Sequence, residues 1–312
     1  MRQCLVTGGA GFIGSHLVDG LLARGWGVRV LDDGSTGNFD NLAAVSGRID
    51  LSRASVTDTA AVERATRGCE VVFHLAALPS VVKSVEDPVA SHEICATGTL
   101  RVLDAARRLG VRRVVYAASS SAYGDQPGEF RTESDPLLPL SPYAAAKLAG
   151  EHYCSCCTAA YGLETVRLRF FNVFGPRQDA RSPYSGVIAL FLTALLQGKT
   201  PTIFGDGLQA RDFVYVENVV EALLLAADAK AAVGQVYNIG MGRSITILDL
   251  VAQLNALLKT AVVPKHDAPR AGDIRFSCAD ITQARRELGY DPRISFADGL
   301  GRTLEWARRG GT

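Results

Sequence analysis

Tyr143 and Lys147 stand four residues apart behind Ser141-Pro142. A proline in the first helical turn followed by that spacing places the phenol and the ammonium on one helix face. An ammonium beside a phenol stabilises the phenolate, drawing its pKa from ~10 toward the range of a general base. Alone, Tyr-x-x-x-Lys is an ordinary exposed helix face, and it gains meaning only beside a second feature. That feature is Thr7-Gly8-Gly9-Ala10-Gly11-Phe12-Ile13-Gly14, between a strand-like run and a helix-like one. Gly8, Gly11 and Gly14 keep the spacing that gives a tight turn, close approach of backbone to a pyrophosphate, and helix–strand packing. The free N–H groups of the following helix then face the phosphates. Asp32 follows Gly14 by 18 residues, at the end of the next strand. A carboxylate there accepts ribose hydroxyls and repels a 2′-phosphate, which favours NAD over NADP. Ser119-Ser120-Ser121-Ala122-Tyr123-Gly124 also follows a strand, where a serine can reach a sugar hydroxyl or a developing carbonyl; read by itself it is first an ordinary polar turn.

Elements that could hold these groups in place are legible around them. Cys4 to Thr7, Val28 to Leu31, Val71 to Leu75, Val114 to Ala117 and Val166 to Phe170 lack polar alternation and read as fully buried strands. Gly14 to Arg24, Thr57 to Thr66, Gly98 to Leu109 and Pro142 to Tyr161 read as helices between them. Such alternation predicts an α/β fold, a Rossmann-like doubly wound parallel sheet with ligands at the carboxyl ends of its strands. After Asn172 come Gly, Pro and polar turns around an apolar helix at Val187 to Leu196. Strand and helix return at Phe213 to Val216, Val219 to Ala227 and Val236 to Ile239, and then helices at Leu248 to Leu258 and Ile281 to Leu288 flank loops that run to a frayed tail. The expected organisation is 1–172 plus 211–240 as the dinucleotide domain, with 173–210 plus 241–312 as a smaller C-terminal α/β substrate-binding lobe.

Composition narrows the classes. With 33 basic against 32 acidic side chains and a formal charge of +1, the chain is not a polybasic nucleic-acid binder. The longest apolar stretch, Val187 to Leu196, is interrupted by Thr193 and falls far below the ~20 residues that span a bilayer, so no membrane partner is expected. The start lacks the long apolar region of a secretion signal, which points to the cytoplasm. Seven scattered cysteines suit reduced thiols. Cys154-Ser155-Cys156-Cys157 behind His152 contains a formal C-x-x-C, but no second pair stands at zinc spacing, so no metal is expected.

Taken together, these motifs resemble the extended short-chain dehydrogenase/reductases, and among them the UDP-sugar 4-epimerases. The resemblance runs almost end to end. It covers the TGGAGFIGSHL opening, Asp32-Asp33, His74-Leu75-Ala76-Ala77, Ser84 with Asp87-Pro88, the serine turn with Tyr123-Gly124-Asp125, and Ser141-Pro142-Tyr143 with Lys147. It continues through Arg169-Phe170-Phe171-Asn172-Val173-Phe174-Gly175-Pro176, Arg211-Asp212-Phe213-Val214-Tyr215-Val216 and Pro269-Arg270-Ala271-Gly272-Asp273.

That resemblance implies catalytic roles for Ser119, for Tyr143 as proton acceptor, and for Lys147 on the nicotinamide ribose. It implies Phe12 and Ile13 against the pyrophosphate and Asp32 on the adenosine ribose, with Asp33, Ser35, Thr36 and Gly37 nearby. Leu75, Ala76 and Ala77 would lie along the NAD. Ser55-Val56 stands where many relatives place Asp before an apolar residue to read adenine, and Cys95 where an Asn near the cofactor is usual. The UDP-sugar would meet Ser119, Ser120, Ser121, Tyr143, Asn172 and Val187, with Ile203 and Phe204 near uracil and Arg211, Arg270 and Asp273 on the diphosphate side. Two guanidiniums suit two phosphates through charge-assisted, bidentate bonds.

The resemblance further implies C4 epimerisation through a transient 4-keto sugar, in a homodimer paired through helices at 97–109 and 143–160. Ala117 to Asp125, with Tyr184-Ser185-Gly186-Val187-Ile188, looks like the subgroup acting on UDP-GlcNAc and UDP-GalNAc. Ser277 aligns with a gate that is tyrosine in relatives restricted to UDP-glucose and UDP-galactose. A UDP-glucuronate 4-epimerase, with Arg181 or another nearby cation serving the carboxylate, is an alternative. So is a 4,6-dehydratase, although Ser120 and Ser121 stand where that chemistry needs an acid and a base. A non-catalytic NAD-binding sensor is the reading from another class.

Overall fold

The computed structural model describes residues 1–179, 186–269 and 274–310. In chain order its strands are β1 (Gln3–Thr7), β2 (Gly27–Asp32), β3 (Ile49–Arg53), β4 (Val71–His74), β5 (Arg113–Ser119), β6 (Phe130–Arg131), β7 (Glu164–Phe170), β8 (Asn172–Phe174), β9 (Thr202–Phe204), β10 (Ala210–Arg211), β11 (Phe213–Tyr215), β12 (Val236–Ile239), β13 (Ile245–Thr246), β14 (Lys265–Asp267) and β15 (Phe276–Ala279). Its helices are α1 (Phe12–Ala23), α2 (Thr59–Thr66), α3 (Val81–Glu86), α4 (Pro88–His92), α5 (Gly98–Arg108), α6 (Pro142–Tyr161), α7 (Val187–Leu196), α8 (Val216–Asp228), α9 (Ile247–Leu258), α10 (Thr282–Leu288) and α11 (Phe296–Arg308).

The main sheet runs β12-β7-β5-β4-β1-β2-β3, parallel at every pairing. Period-two alternation sends its side chains to two cores. Cys4, Val6, Val28, Val30, Val71 and Phe73 meet Leu17, Val18 and Leu21 of α1 and Val219, Val220 and Leu223 of α8. On the other face Leu5, Leu31, Val72, Val114 and Tyr116 meet α2, α5 and α6 through Val62, Val102, Leu103 and Cys154. This two-sided burial explains why these strands read as continuous apolar runs. A third core joins α7, α9 and α11 to β8 and β11, through Phe174, Phe191, Phe213, Leu250, Phe296 and Leu300.

The expected strands and helices are present, with ends that shift by no more than three residues, and among the elements that lie where none was expected are β3, the pair α3 and α4, and α11. β3 is an edge strand with exposed Asp50 and Arg53 and half-buried Ser52, so it lacks the apolar run that marked its neighbours. The pair α3 and α4 precedes a wide turn at Glu93–Thr97. Helix α11 replaces the loop expected before the tail, capped by the Ser295 hydroxyl on the Asp298 N–H and buried through Phe296, Leu300, Thr303 and Leu304. A serine cap followed by that i, i+4, i+7, i+8 stripe is a helix signal in the sequence itself. Cys154 and Cys157 are packed in the core, whereas Cys156 is exposed. Among the described residues no helix is long and apolar enough to cross a membrane.

Candidate functional site

A cleft of ≈ 690 Å³ opens along the carboxyl ends of β1, β2, β4 and β5. Its floor is the glycine turn. Gly8 has φ +72°, and a Cβ there would stand 2.7 Å from the Ala76 nitrogen; one at Gly14 would stand 2.0 Å from the Gly8 carbonyl. Only a backbone without side chains closes this turn, and the bare surface with the unpaired N–H groups of α1 fits a dinucleotide pyrophosphate. Gly11, Phe12 and Ile13 line the same end.

Asp32, at the tip of β2, is nearly buried and accepts from the Ala10 N–H at 2.9 Å and the Gly34 N–H at 2.8 Å. Burial pushes its carboxyl above the usual range, and those N–H groups pull it back. A carboxylate has about four acceptor sites, so two backbone bonds leave room for ribose hydroxyls. Burial also pushes Asp33 up, but donors from Ser35 and Ser55 outweigh it and hold that carboxyl low. Ser55 thus supports the acidic end of the site as well as lining it with Val56, Ser35, Thr36 and Gly37.

Leu75, Ala76 and Ala77 form one wall, extended by Leu78, Pro79 and Ser80. Cys95 does not line the cleft. It is fully buried behind that wall, its sulfur accepting the Leu78 N–H at 3.3 Å, so its effect on the site is through the backbone of Leu78.

Ser119, Tyr143 and Lys147 meet at the end of β5. Helix α6 starts at Pro142 with the Ser141 hydroxyl accepting the Ala144 N–H, as its sequence predicts. Two turns beyond Tyr143, Glu151 pairs with Arg169 of β7 at 2.8 Å, both side chains almost wholly buried. Arg169 also donates to the Tyr123 hydroxyl at 2.9 Å, and that hydroxyl donates to Asn238 at 2.6 Å. The helix bearing Tyr143 is therefore fixed to the sheet by a satisfied polar network. Ser119 shares hydrogen bonds with the Tyr143 hydroxyl and, at 2.8 Å, with Ser121.

Burial comes first among the influences on this centre. Burial pushes the Tyr143 hydroxyl well above its ordinary pKa, and the Ser119 hydrogen bond opposes that push. Lys147 turns its ammonium to the Ala117 carbonyl at 2.7 Å and over the Tyr116 ring at 4.9 Å, and burial pushes its pKa down. Burial disfavours the charged form of both groups.

The residues expected on the sugar nucleotide are brought together less completely. Ser120, Ser121, Asn172, Val187, Ile203, Phe204, Arg211 and Ser277 are not among the cleft-lining residues. Arg211 and Ser277 are register partners on β10 and β15, and Arg211 donates to the Ala210 carbonyl at 2.9 Å. Ile203 is 1% exposed within the third core, because the alternation of β9 turns it inward while Thr202 and Phe204 keep partial exposure. It therefore offers no side chain to a base. Arg270, Asp273, Arg181 and Tyr184 lie outside the described residues.

Several lining residues were not expected from sequence: Ala117 and Ala118 of β5, Phe170 at the end of β7 and Phe171 after it, and Lys83 of α3. The first four sit at strand ends, where the rule for parallel sheets points. Arg177, Gln178 and Asp179 line the cleft as well. Arg177 has φ +67° and pairs with Asp19 at 2.8 Å, while His16 of α1 bonds the Pro176 carbonyl at 3.0 Å, so this segment is latched to the phosphate-facing helix. No sequence signal marks that latch.

Comparison with known proteins agrees with this geometry. Residues 4–240 match the family described as the NAD dependent epimerase/dehydratase family. A UDP-glucose 4-epimerase of Mycolicibacterium smegmatis is 42% identical, over 98% of this chain and 98% of its own length. The crystal structure of a Thermotoga maritima UDP-glucose 4-epimerase with UDP-glucose superposes with a TM-score of 0.94 at 38% identity, covering 99% of both chains. A UDP-N-acetylglucosamine 4-epimerase of Methanobrevibacter ruminantium, in complex with UDP-N-acetylmuramic acid, gives 0.95 at 37% identity with the same coverage.

Proposed function

The chain belongs to the NAD dependent epimerase/dehydratase family, an enzyme of extended short-chain dehydrogenase/reductase type, and from that premise we propose that it inverts C4 of a UDP-hexose. The observation that carries this reading is the meeting of Ser119, Tyr143 and Lys147 in one cleft with the glycine turn and Asp32. When bound, NAD supplies the acceptor and later the donor of the C4 hydride. The Tyr143 oxygen takes the proton of the sugar 4-hydroxyl and returns it after the 4-keto sugar has turned over. Ser119 hydrogen-bonds the reacting oxygen and steadies the phenolate, and Lys147 keeps a positive charge within the same buried pocket. Because burial raises the Tyr143 pKa, positive charge brought into the cleft favours ionisation of that phenol.

Residues 1–172 with 211–240 serve the cofactor in this reading, and 173–210 with 241–312 serve the UDP-sugar. Arg211 and Arg270 are the cations assigned to the diphosphate. Ser277, small at that position, leaves room for an acetamido group, so UDP-GlcNAc and UDP-GalNAc are substrates alongside the plain hexoses. Leu100 of α5 and Tyr153 of α6 are exposed, which supports pairing of two copies through these helices.

Proton NMR of the protein with NAD and each of UDP-glucose, UDP-galactose, their N-acetyl forms and UDP-glucuronate tests the proposal. Anomeric signals of the C4 epimer from the hexoses or N-acetylhexoses are expected. Turnover confined to UDP-glucuronate, or a 4-keto product that has lost its C6 hydroxyl, replaces the assignment with the uronate epimerase or the dehydratase; silence with all five substrates overturns it.

A further inference from the structure

His74, at the end of β4, is wholly buried and touches no cleft surface, yet it sits within a chain of hydrogen bonds that reaches the cleft wall. The Ala76 N–H donates to the Thr7 hydroxyl oxygen at 3.3 Å. That oxygen lies 2.7 Å from His74 Nδ1, and His74 Nε2 lies 2.9 Å from the Thr99 hydroxyl. The Thr99 hydroxyl in turn donates to the Cys95 carbonyl at 2.6 Å, inside the wide turn that precedes α5.

A hydroxyl has one proton, so the direction of the whole chain follows from its end. Thr99 spends its proton on the Cys95 carbonyl, which can only accept, so it must receive a proton from His74 Nε2. His74 is neutral, since burial and then the Lys147 charge lower its pKa to about 3, so Nδ1 carries a lone pair. Thr7 therefore donates to Nδ1, and its own lone pairs turn to the Ala76 N–H. The opposite tautomer leaves the short Thr99–Cys95 contact without a proton. Position matters at Ala76 because its nitrogen is the atom that a Cβ on Gly8 would strike at 2.7 Å; wall and phosphate turn are in close contact.

We propose that His74 is a positioning residue for the dinucleotide site, held as its Nε2–H tautomer, which orients the Thr7 hydroxyl and through it the Ala76 backbone of the cleft wall. This inference rests on the NAD reading of the cleft, and its test separates the two.

Calorimetric titration of NAD, without any sugar, measures the dissociation constant for wild type, His74→Asn, His74→Gln and Thr7→Val. An asparagine oxygen lies near the place of Nδ1 and still accepts from Thr7, whereas a glutamine amide lies near Nε2 and serves Thr99 alone. The expected order is a rise of about threefold or less for His74→Asn and tenfold or more for His74→Gln and Thr7→Val. A merely space-filling His74 gives the reverse, since glutamine is closer in size, and that order or equality overturns the proposal. Nitrogen-15 NMR of histidine-labelled protein carrying His16→Gln, which removes the other ring held by burial and a carbonyl acceptor, should show one ring with a bare Nδ1 and a protonated Nε2, unchanged from pH 8 to 5. A spectrum in which every histidine titrates, or in which the one that does not is protonated at Nδ1, refutes it. Wild type that fails to bind NAD overturns the cofactor reading itself, while the NMR still decides the tautomer.

Discussion

The dinucleotide cleft and the expected sugar-nucleotide region are built in opposite ways. The cleft stands on the ends of long parallel strands buried on both faces, and its polar groups already have protein partners: Asp32 on Ala10 and Gly34, Lys147 on Ala117, Thr7 on His74. The other region rests on β6, β9, β10, β13 and β14, strands of two or three residues with partly exposed side chains. A buried sheet fixes groups that must meet a constant cofactor within tenths of an ångström. Short strands joined by loops let one scaffold take different sugars. The difference teaches that the chemistry common to a family lies in its rigid half and its substrate choice in the half with least sheet behind it.

Four measurements break or sharpen that contrast. The largest effect belongs to the rigid half: Tyr143→Phe should reduce epimerisation by about 10²–10⁴-fold with NAD affinity retained, read by NMR turnover and calorimetry. Undiminished turnover would remove Tyr143 from the proton path. Next, Arg169→Met strands Glu151 without its cation in the core, so denaturant unfolding should show about 3–5 kcal/mol lost. A loss under 1 kcal/mol would mean that α6 is not anchored there.

Third is a pH effect. His74 is held neutral in the fold with a pKa of about 3 and charges near 6.5 when unfolded, so the unfolded state binds the extra proton between those values. Its contribution to stability is whole above pH 6.5 and declines as pH falls, by about 1.4 kcal/mol per unit. His74→Asn should flatten the wild-type stability curve between pH 6.5 and 4.5 by that slope, and parallel curves would contradict it. The smallest effect belongs to the adaptable half: Arg211→Ala should raise KM for the UDP-sugar about tenfold and leave NAD binding unchanged. An equal loss of NAD binding would dissolve the distinction between the regions.

Legibility followed the same contrast. The five core strands and α6 were readable because two-sided burial demands continuous apolar runs and because Ser141-Pro142 marks a helix start. β3 escaped because an edge strand keeps its polar side chains. α11 carried a readable cap and stripe that the charged, glycine-rich tail masked. Ile203 was expected at a base and is in a core, because the register of a three-residue strand is set by what packs on it.

By itself the sequence determined the fold class and located the glycine turn, Asp32 and the residues Ser119, Tyr143 and Lys147 that the structure brings to one cleft, since spacing and residue type are local properties of a chain. Tertiary structure alone decided how burial bears on Tyr143 and Lys147, the retreat of Cys95 behind the wall, and the latch of Arg177 and His16 on α1. Those depend on desolvation and on which distant groups come within 3 Å, and neither is encoded in neighbouring residues. The Tyr143 phenol shows the point: four residues of helix bring a lysine to its face, but burial in the folded protein sets the direction in which its pKa moves.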